Sequence, residues 1–205
     1  MSVMVKICGL TNLPDVEAAA AAGADLLGFV FAPASPRRMT VAAVADLVRG
    51  LSAHVAKVGV FVNPTAELVR EAISECGLGW LQIHSEETPE WCMQFGLKSV
   101  KAFPVRDEHS LHSLRLYPTD AWLLDAHVEN QSGGTGKTFN WDLAVAAKQF
   151  GRPIFLAGGL TPENVADAVR RVRPFAVDVS SGVEGAPGKK DRQKVQAFIH
   201  AAKSA

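Results

Sequence analysis

One pattern repeats from end to end of the chain. A short run of apolar and β-branched residues leads into a polar or glycine-containing turn, and an alanine-rich or amphipathic stretch follows. The strand-like runs number eight: 3–8, 26–31, 56–61, 80–84, 98–103, 121–125, 153–157 and 175–180. Helical stretches lie between them at 14–22, 41–51, 65–76, 89–95, 141–150 and 162–172, and a last one at 191–203 closes the chain. Asn12, Thr40, Asn140 and Thr161 stand where N-caps belong, Pro162 at a first helical position, and Gly23, Gly77, Gly96 and Gly151 where helices stop. The connection 105–118 is the least helical. Strict alternation of strand and helix calls for a parallel sheet, because parallel neighbours need a crossover. Eight units favour closure into an α/β (β/α)8 barrel, the TIM barrel, as a single domain over 1–205. At 205 residues the chain is near the lower end for that fold, ~200 upward, so insertions are few. An open doubly wound sheet is the alternative, but the first strand ends in Cys8-Gly9-Leu10-Thr11-Asn12 and lacks the Gly-x-Gly-x-x-Gly turn.

Composition removes several classes of function. A 48% hydrophobic and 20% charged chain supplies a core and excludes wholesale disorder. Lys plus Arg equals Asp plus Glu at 21 each, so the basic excess of a general nucleic-acid binder is missing. No apolar run approaches a membrane span, and the first residues read as a strand rather than a signal peptide. Cys8, Cys76 and Cys92 are odd in number and lack metal-ligand spacing, so free thiols in the reducing cytoplasm are expected. Zero net charge is compatible with a monomer or a homodimer.

In a parallel barrel, function sits at the C-terminal ends of the strands. Cys8 ends the first run and is a candidate base or an inert buried thiol. Its ordinary pKa near ~8.5 leaves it protonated at neutral pH, and a phosphate site, helix N-termini and a nearby cation are what would lower it. Cys76 and Cys92 fall within helices and are expected to be inert. Asp125 ends the sixth run, where it either stabilises a turn or serves as a desolvated proton donor. Arg37, in the loop after the second run, suits a carboxylate, and His84 ends the fourth, to bind substrate or to pack. No metal site is expected. Gly158-Gly159 and Ser180-Ser181-Gly182 end the last two runs, where backbone N–H groups can cradle a phosphate. Gly133-Gly134-Thr135-Gly136 offers a second glycine cluster, within a loop 130–137 read as a mobile flap. Lys6 shares the inward parity of Cys8, and Asp178 that of Ser180, so a buried Lys6–Asp178 ion pair is predicted.

These residues carry a family resemblance. Lys6-Ile7-Cys8-Gly9-Leu10-Thr11-Asn12 resembles the N-terminal signature of phosphoribosylanthranilate isomerases of tryptophan biosynthesis. The likeness continues through Gly28-Phe29-Val30-Phe31, Ser35-Pro36-Arg37, Val58 to Asn63, Leu81-Gln82-Ile83-His84, Leu124-Asp125, Ala157-Gly158-Gly159-Leu160 and Val177 to Glu184. Ser85 departs from it, standing where the family usually has glycine.

The resemblance implies an Amadori rearrangement of N-(5-phosphoribosyl)anthranilate, with Cys8 as general base and Asp125 as general acid. Arg37 would bind the anthranilate carboxylate, and the last two loops the phosphate. The reaction is redox-neutral and its imine nitrogen is the electron sink, so no cofactor is required. Three rivals have distinct requirements. The histidine-pathway isomerase carries an Asp where Cys8 stands and has two phosphate half-sites. A pentulose-phosphate epimerase needs several His and Asp metal ligands. A non-catalytic phosphosugar-binding barrel needs neither Cys8 nor Asp125.

Overall fold

A computed structural model describes residues 2–52, 54–126 and 140–205. Eight parallel strands close on themselves in sequence order: β1 (Met4–Cys8), β2 (Leu26–Val30), β3 (Ala56–Phe61), β4 (Trp80–Ile83), β5 (Lys98–Val105), β6 (Ala121–Ala126), β7 (Ile154–Leu156) and β8 (Ala176–Val179). The crossovers carry α1 (Leu13–Ala21), α2 (Val41–Val48), α3 (Ala66–Cys76), α4 (Pro89–Met93), α5 (Trp141–Ala147) and α6 (Val165–Val172). After β8 a two-stranded hairpin, β9 (Glu184–Ala186) and β10 (Lys189–Lys190), precedes α7 (Arg192–Lys203). The fold is the single (β/α)8 barrel that the alternation predicted.

Strand alternation divides the core in two. One face of each strand points into the barrel, where Leu26, Val58, Trp80, Val100, Leu123 and Phe155 are buried together. The other face, with Ile7, Leu27, Phe61, Ile83, Trp122 and Val177, packs under the helices. Phe31 stacks on Phe61 within that outer layer at 5.0 Å between ring centroids. At the C-terminal end of the barrel the interior changes to Cys8, Val30, Ala32 and Val60, a smaller apolar wall beside polar residues.

Several helix ends follow the sequence. Asn12, Thr40 and Asn140 cap α1, α2 and α5, their side chains accepting backbone N–H groups. Gly77 ends α3 in the left-handed conformation. Four elements differ. Residues 162–164 form turns, and α6 starts at Val165 rather than Pro162. The Asn164 side chain turns back instead: its Oδ1 accepts from Thr161 N at 2.8 Å and its Nδ2 donates to the Gly159 carbonyl at 2.9 Å. That amide serves the glycine turn after β7 and caps no helix. The helices expected over 41–51 and 89–95 stop early, at Val48 and Met93. The connection 105–118 holds a 3-10 helix, His109–Leu116. The 130–137 loop, with Gly133, Gly134 and Gly136, lies outside the described residues.

Candidate active site

Cys8 closes β1 at the C-terminal end of the barrel, 7% exposed against Val30, Ala32 and Val60. Two residues earlier on the same inward face, Lys6 is completely buried and forms the predicted ion pair. Its Nζ donates to both oxygens of Asp178, at 2.9 and 3.0 Å. The strand register sets Lys6 opposite Asp178, so the pair bridges β1 and β8 where the barrel closes. Burial works against the Lys6 charge, yet Asp178 and Cys8 outweigh it and raise its pKa. Deleting one partner of such a pair costs about 3–5 kcal/mol, because the other charge stays buried.

The Cys8 thiol does not meet the expectation of a lowered pKa. Burial pushes it up, more than Lys6 and Lys190 pull it down, and Asp178 adds to the rise. A strand-end thiol between apolar walls is desolvated before any cation acts on it. Cys76 and Cys92 lie in helices as expected, with burial pushing both up to about 11. Asp125 sits on β6 with the inward parity of Ala121 and Leu123, half-buried at the same end of the barrel as Cys8.

His84 follows β4 directly and lies within hydrogen-bond distance of Gln82, its neighbour on the inward face. Burial, with the positive charges of Lys6 and Lys101 behind it, lowers its pKa to about 3. The ring is therefore neutral, a hydrogen-bonding group rather than a cation. Lys101 belongs to a network the sequence reading missed. It is buried in the outer layer, pairs with Glu87 at 3.0 Å and donates to the Ser85 carbonyl. Glu87 also accepts from Asn63 N at 2.8 Å, tying the loops after β3 and β4 together.

The two glycine-bearing loops after β7 and β8 lie against each other. Gly158 and Gly159 turn at φ 83° and 66°, values an L-residue rarely adopts. After β8, Ser180 leads into a short 3-10 turn, Ser181–Val183. A Cβ on Gly182 would lie 1.9 Å from the Leu160 carbonyl oxygen, so only glycine allows the two loops to approach this closely. Ser180, Ser181, Gly158 and Gly159 are all partly open to solvent there.

Arg37 reaches this group from the loop after β2. It does not stand as a free fork. Glu184 binds its Nε and Nη2, each at 2.7 Å, and Lys190 joins the same carboxylate at 2.9 Å. Glu184 closes the motif that begins at Val177 but carries no role in the sequence pattern, and Lys190 gives no sequence signal. Among the described residues no group of three or more His, Cys, Asp or Glu side chains could hold a metal ion. Nor is any helix among them long and apolar enough to cross a membrane.

A family model for N-(5'-phosphoribosyl)anthranilate isomerase matches residues 5–201. The chain belongs to this family. An N-(5'-phosphoribosyl)anthranilate isomerase of Geobacter sulfurreducens is 50% identical over 201 residues, 98% of each chain. The solved phosphoribosyl anthranilate isomerase of Thermotoga maritima superposes with a TM-score of 0.92 at 41% identity, covering 99% of this chain and 100% of that one. Another solved isomerase holds reduced 1-(o-carboxyphenylamino)-1-deoxyribulose 5-phosphate. It superposes at 0.88 with 38% identity over 99% of this chain and 100% of that one. The barrel described above is thus that of an isomerase of tryptophan biosynthesis.

Proposed function

We propose that the protein rearranges N-(5-phosphoribosyl)anthranilate to 1-(2-carboxyphenylamino)-1-deoxyribulose 5-phosphate by general acid–base catalysis, with Asp125 as acid and Cys8 as base. The observation that carries this reading is the placement of both residues on inward faces at one end of the barrel, in a chain of this family. Protonated Asp125 donates to the furanose ring oxygen. The C1–O bond breaks as the anthranilate nitrogen supplies its electron pair, giving a protonated Schiff base. The Cys8 thiolate removes the C2 proton, and that electron pair forms the enolamine. Transfer of the C2 hydroxyl proton to C1 then gives the ketone. The substrate gains one proton from Asp125 and gives one to Cys8, so a proton passing from Cys8 back to Asp125 resets the pair, and the iminium nitrogen is the electron sink for loss of the C2 proton. Gly158, Gly159, Ser180, Ser181 and Gly182 hold the phosphate through backbone N–H groups. Arg37 takes the anthranilate carboxylate, and neutral His84 hydrogen-bonds the substrate.

Lys6 and Lys190 support Cys8 in this role, since both favour its thiolate while burial opposes it. A carboxylic acid beside a thiolate carries the same number of protons as a carboxylate beside a thiol. Wild-type kcat/KM is therefore flat between the two pKa values. Asp125→Asn removes the acid's titration and exposes that of the base alone. Its small residual turnover should rise about tenfold per pH unit across the neutral range, following the thiolate fraction. Cys8→Ala should lose the C2 proton abstraction, with turnover falling at least about 100-fold while the melting curve persists. A fluorescence assay, with the substrate made in place from anthranilate and the activated ribose phosphate, reads both. A folded Cys8→Ala variant at wild-type rate would remove Cys8 as base. A folded wild type that turns over none of this substrate would remove the reading.

A further inference from the structure

The chain beyond β8 folds back over the site as the β9–β10 hairpin and delivers two charged groups to Arg37. Glu184 occupies one edge of the guanidinium: Nε donates to Oε1 and Nη2 to Oε2, both at 2.7 Å. Lys190 Nζ donates to the same Oε1 at 2.9 Å and to the Ser180 carbonyl at 3.0 Å. The side chains of Arg37, Glu184 and Lys190 are 16%, 5% and 1% exposed. The hairpin is pinned in turn, because Lys190 N donates to Asp15 at 2.8 Å and Thr11 donates to the Gly188 carbonyl at 2.5 Å. Arg37 crosses the barrel mouth over Gly9, where an added Cβ would lie 2.4 Å from its Cδ and 3.0 Å from the Ser180 hydroxyl.

A guanidinium has five N–H donors in two forks. Glu184 uses the side fork, Nε and one N–H of Nη2, and does not touch Nη1. The end fork, Nη1 with the second N–H of Nη2, matches a carboxylate bidentately. Two cations share one carboxylate here, so the covered cluster carries an excess positive charge beside Cys8 and Ser180. A substrate carboxylate that displaced Glu184 would trade one charge-assisted pair for another and leave Glu184 in a covered place with Lys190 as its one remaining cationic partner, so the exchange gains little.

We propose that Glu184, backed by Lys190, is a positioning residue that locks Arg37 side-on so that its end fork receives the ring carboxylate of the substrate. The inference rests on the isomerase reading above. It makes the Arg37–Glu184–Lys190 cluster the determinant that distinguishes an ortho-carboxylated aniline from aniline itself.

The test measures binding of two compounds by calorimetry: reduced 1-(o-carboxyphenylamino)-1-deoxyribulose 5-phosphate, and the same molecule lacking the ring carboxyl. Glu184→Gln should weaken the first at least tenfold and the second less than twofold. KM in turnover should rise while kcat stays within threefold. Glu184→Asp, which keeps the charge on a shorter arm, should fall between Glu184→Gln and wild type, and it carries the test if Glu184→Gln does not fold. Equal weakening of both compounds would overturn the proposal in favour of a merely structural ion pair. Tighter binding of the carboxylated compound would overturn it in favour of Glu184 as a competitor. Wild type binding neither compound would overturn the isomerase reading itself, and this proposal with it.

Discussion

Ser85 has φ 147°, a backbone region that favours glycine. Its carbonyl accepts from the buried Lys101, which Glu87 holds, so the strained turn directly after His84 is fixed from behind. Such a conformation costs an L-residue about 1–3 kcal/mol, part of which glycine gives back through its freer unfolded chain. Ser85→Gly should therefore stabilise the fold by about 1 kcal/mol in urea unfolding. A destabilised variant would mean that Ser85 is unstrained. At this scale the sequence was legible where parity decides the outcome. Lys6 and Asp178 share inward positions on strands that must close against each other, and they pair as expected. Glu184 and Lys190 were not legible, because a two-residue β10 has no alternation to show which way Lys190 points. Nor was the direction of the Cys8 shift, which depends on how tightly Val30, Ala32 and Val60 close around the thiol. Lys101 was hidden for a related reason: β5 places it in a mostly apolar outer layer, and only the packing reveals its partner.

Among the elements, α1 shows how a cap is tied to the site. Asn12 Oδ1 accepts from Asp15 N at 3.0 Å, and its Nδ2 donates to Asp15 Oδ2 at 2.8 Å. That same oxygen accepts from Lys190 N, so the cap orients the carboxylate that anchors β10. Asn12→Ala should cost about 1 kcal/mol as a lost N-cap. It should also raise KM for the substrate, by loosening the hairpin that carries Lys190. A variant that loses stability with KM unchanged would show the cap and the hairpin to be independent. Strands were read to within about two residues because each apolar run is bounded by polar or glycine turns. Helix starts were read from N-cap residues, and that rule failed at α6. There Asn164 uses both ends of its amide on Thr161 and Gly159, a demand of the glycine turn after β7 that helix propensity does not express.

At the scale of the whole molecule, the barrel gathers its buried charges at one end, which makes its stability depend on pH. His84 stays neutral in the fold, with a pKa of about 3 set by burial and by Lys6 and Lys101, whereas an unfolded histidine titrates near about 6.5. Between those values the unfolded chain binds a proton that the folded chain refuses. Stability therefore falls as pH drops below about 6, by up to about 1.4 kcal/mol per pH unit from this one ring. Glu184 acts lower on the scale. Burial opposes its charge, but Arg37 and Lys190 hold its pKa below the ordinary carboxylate value. Its stabilisation is present above the unfolded pKa of about 4.3 and is lost as pH falls through the folded value. The acid limb should thus have two parts: a first decline from His84 and a second, steeper one below about pH 4.3 when Glu184 begins to contribute. Melting temperatures from pH 7 to pH 3.5 would resolve them. His84→Asn should flatten the first part and leave the second, since an amide has no proton to gain. An unchanged first decline in that variant would place the acid sensitivity elsewhere in the barrel.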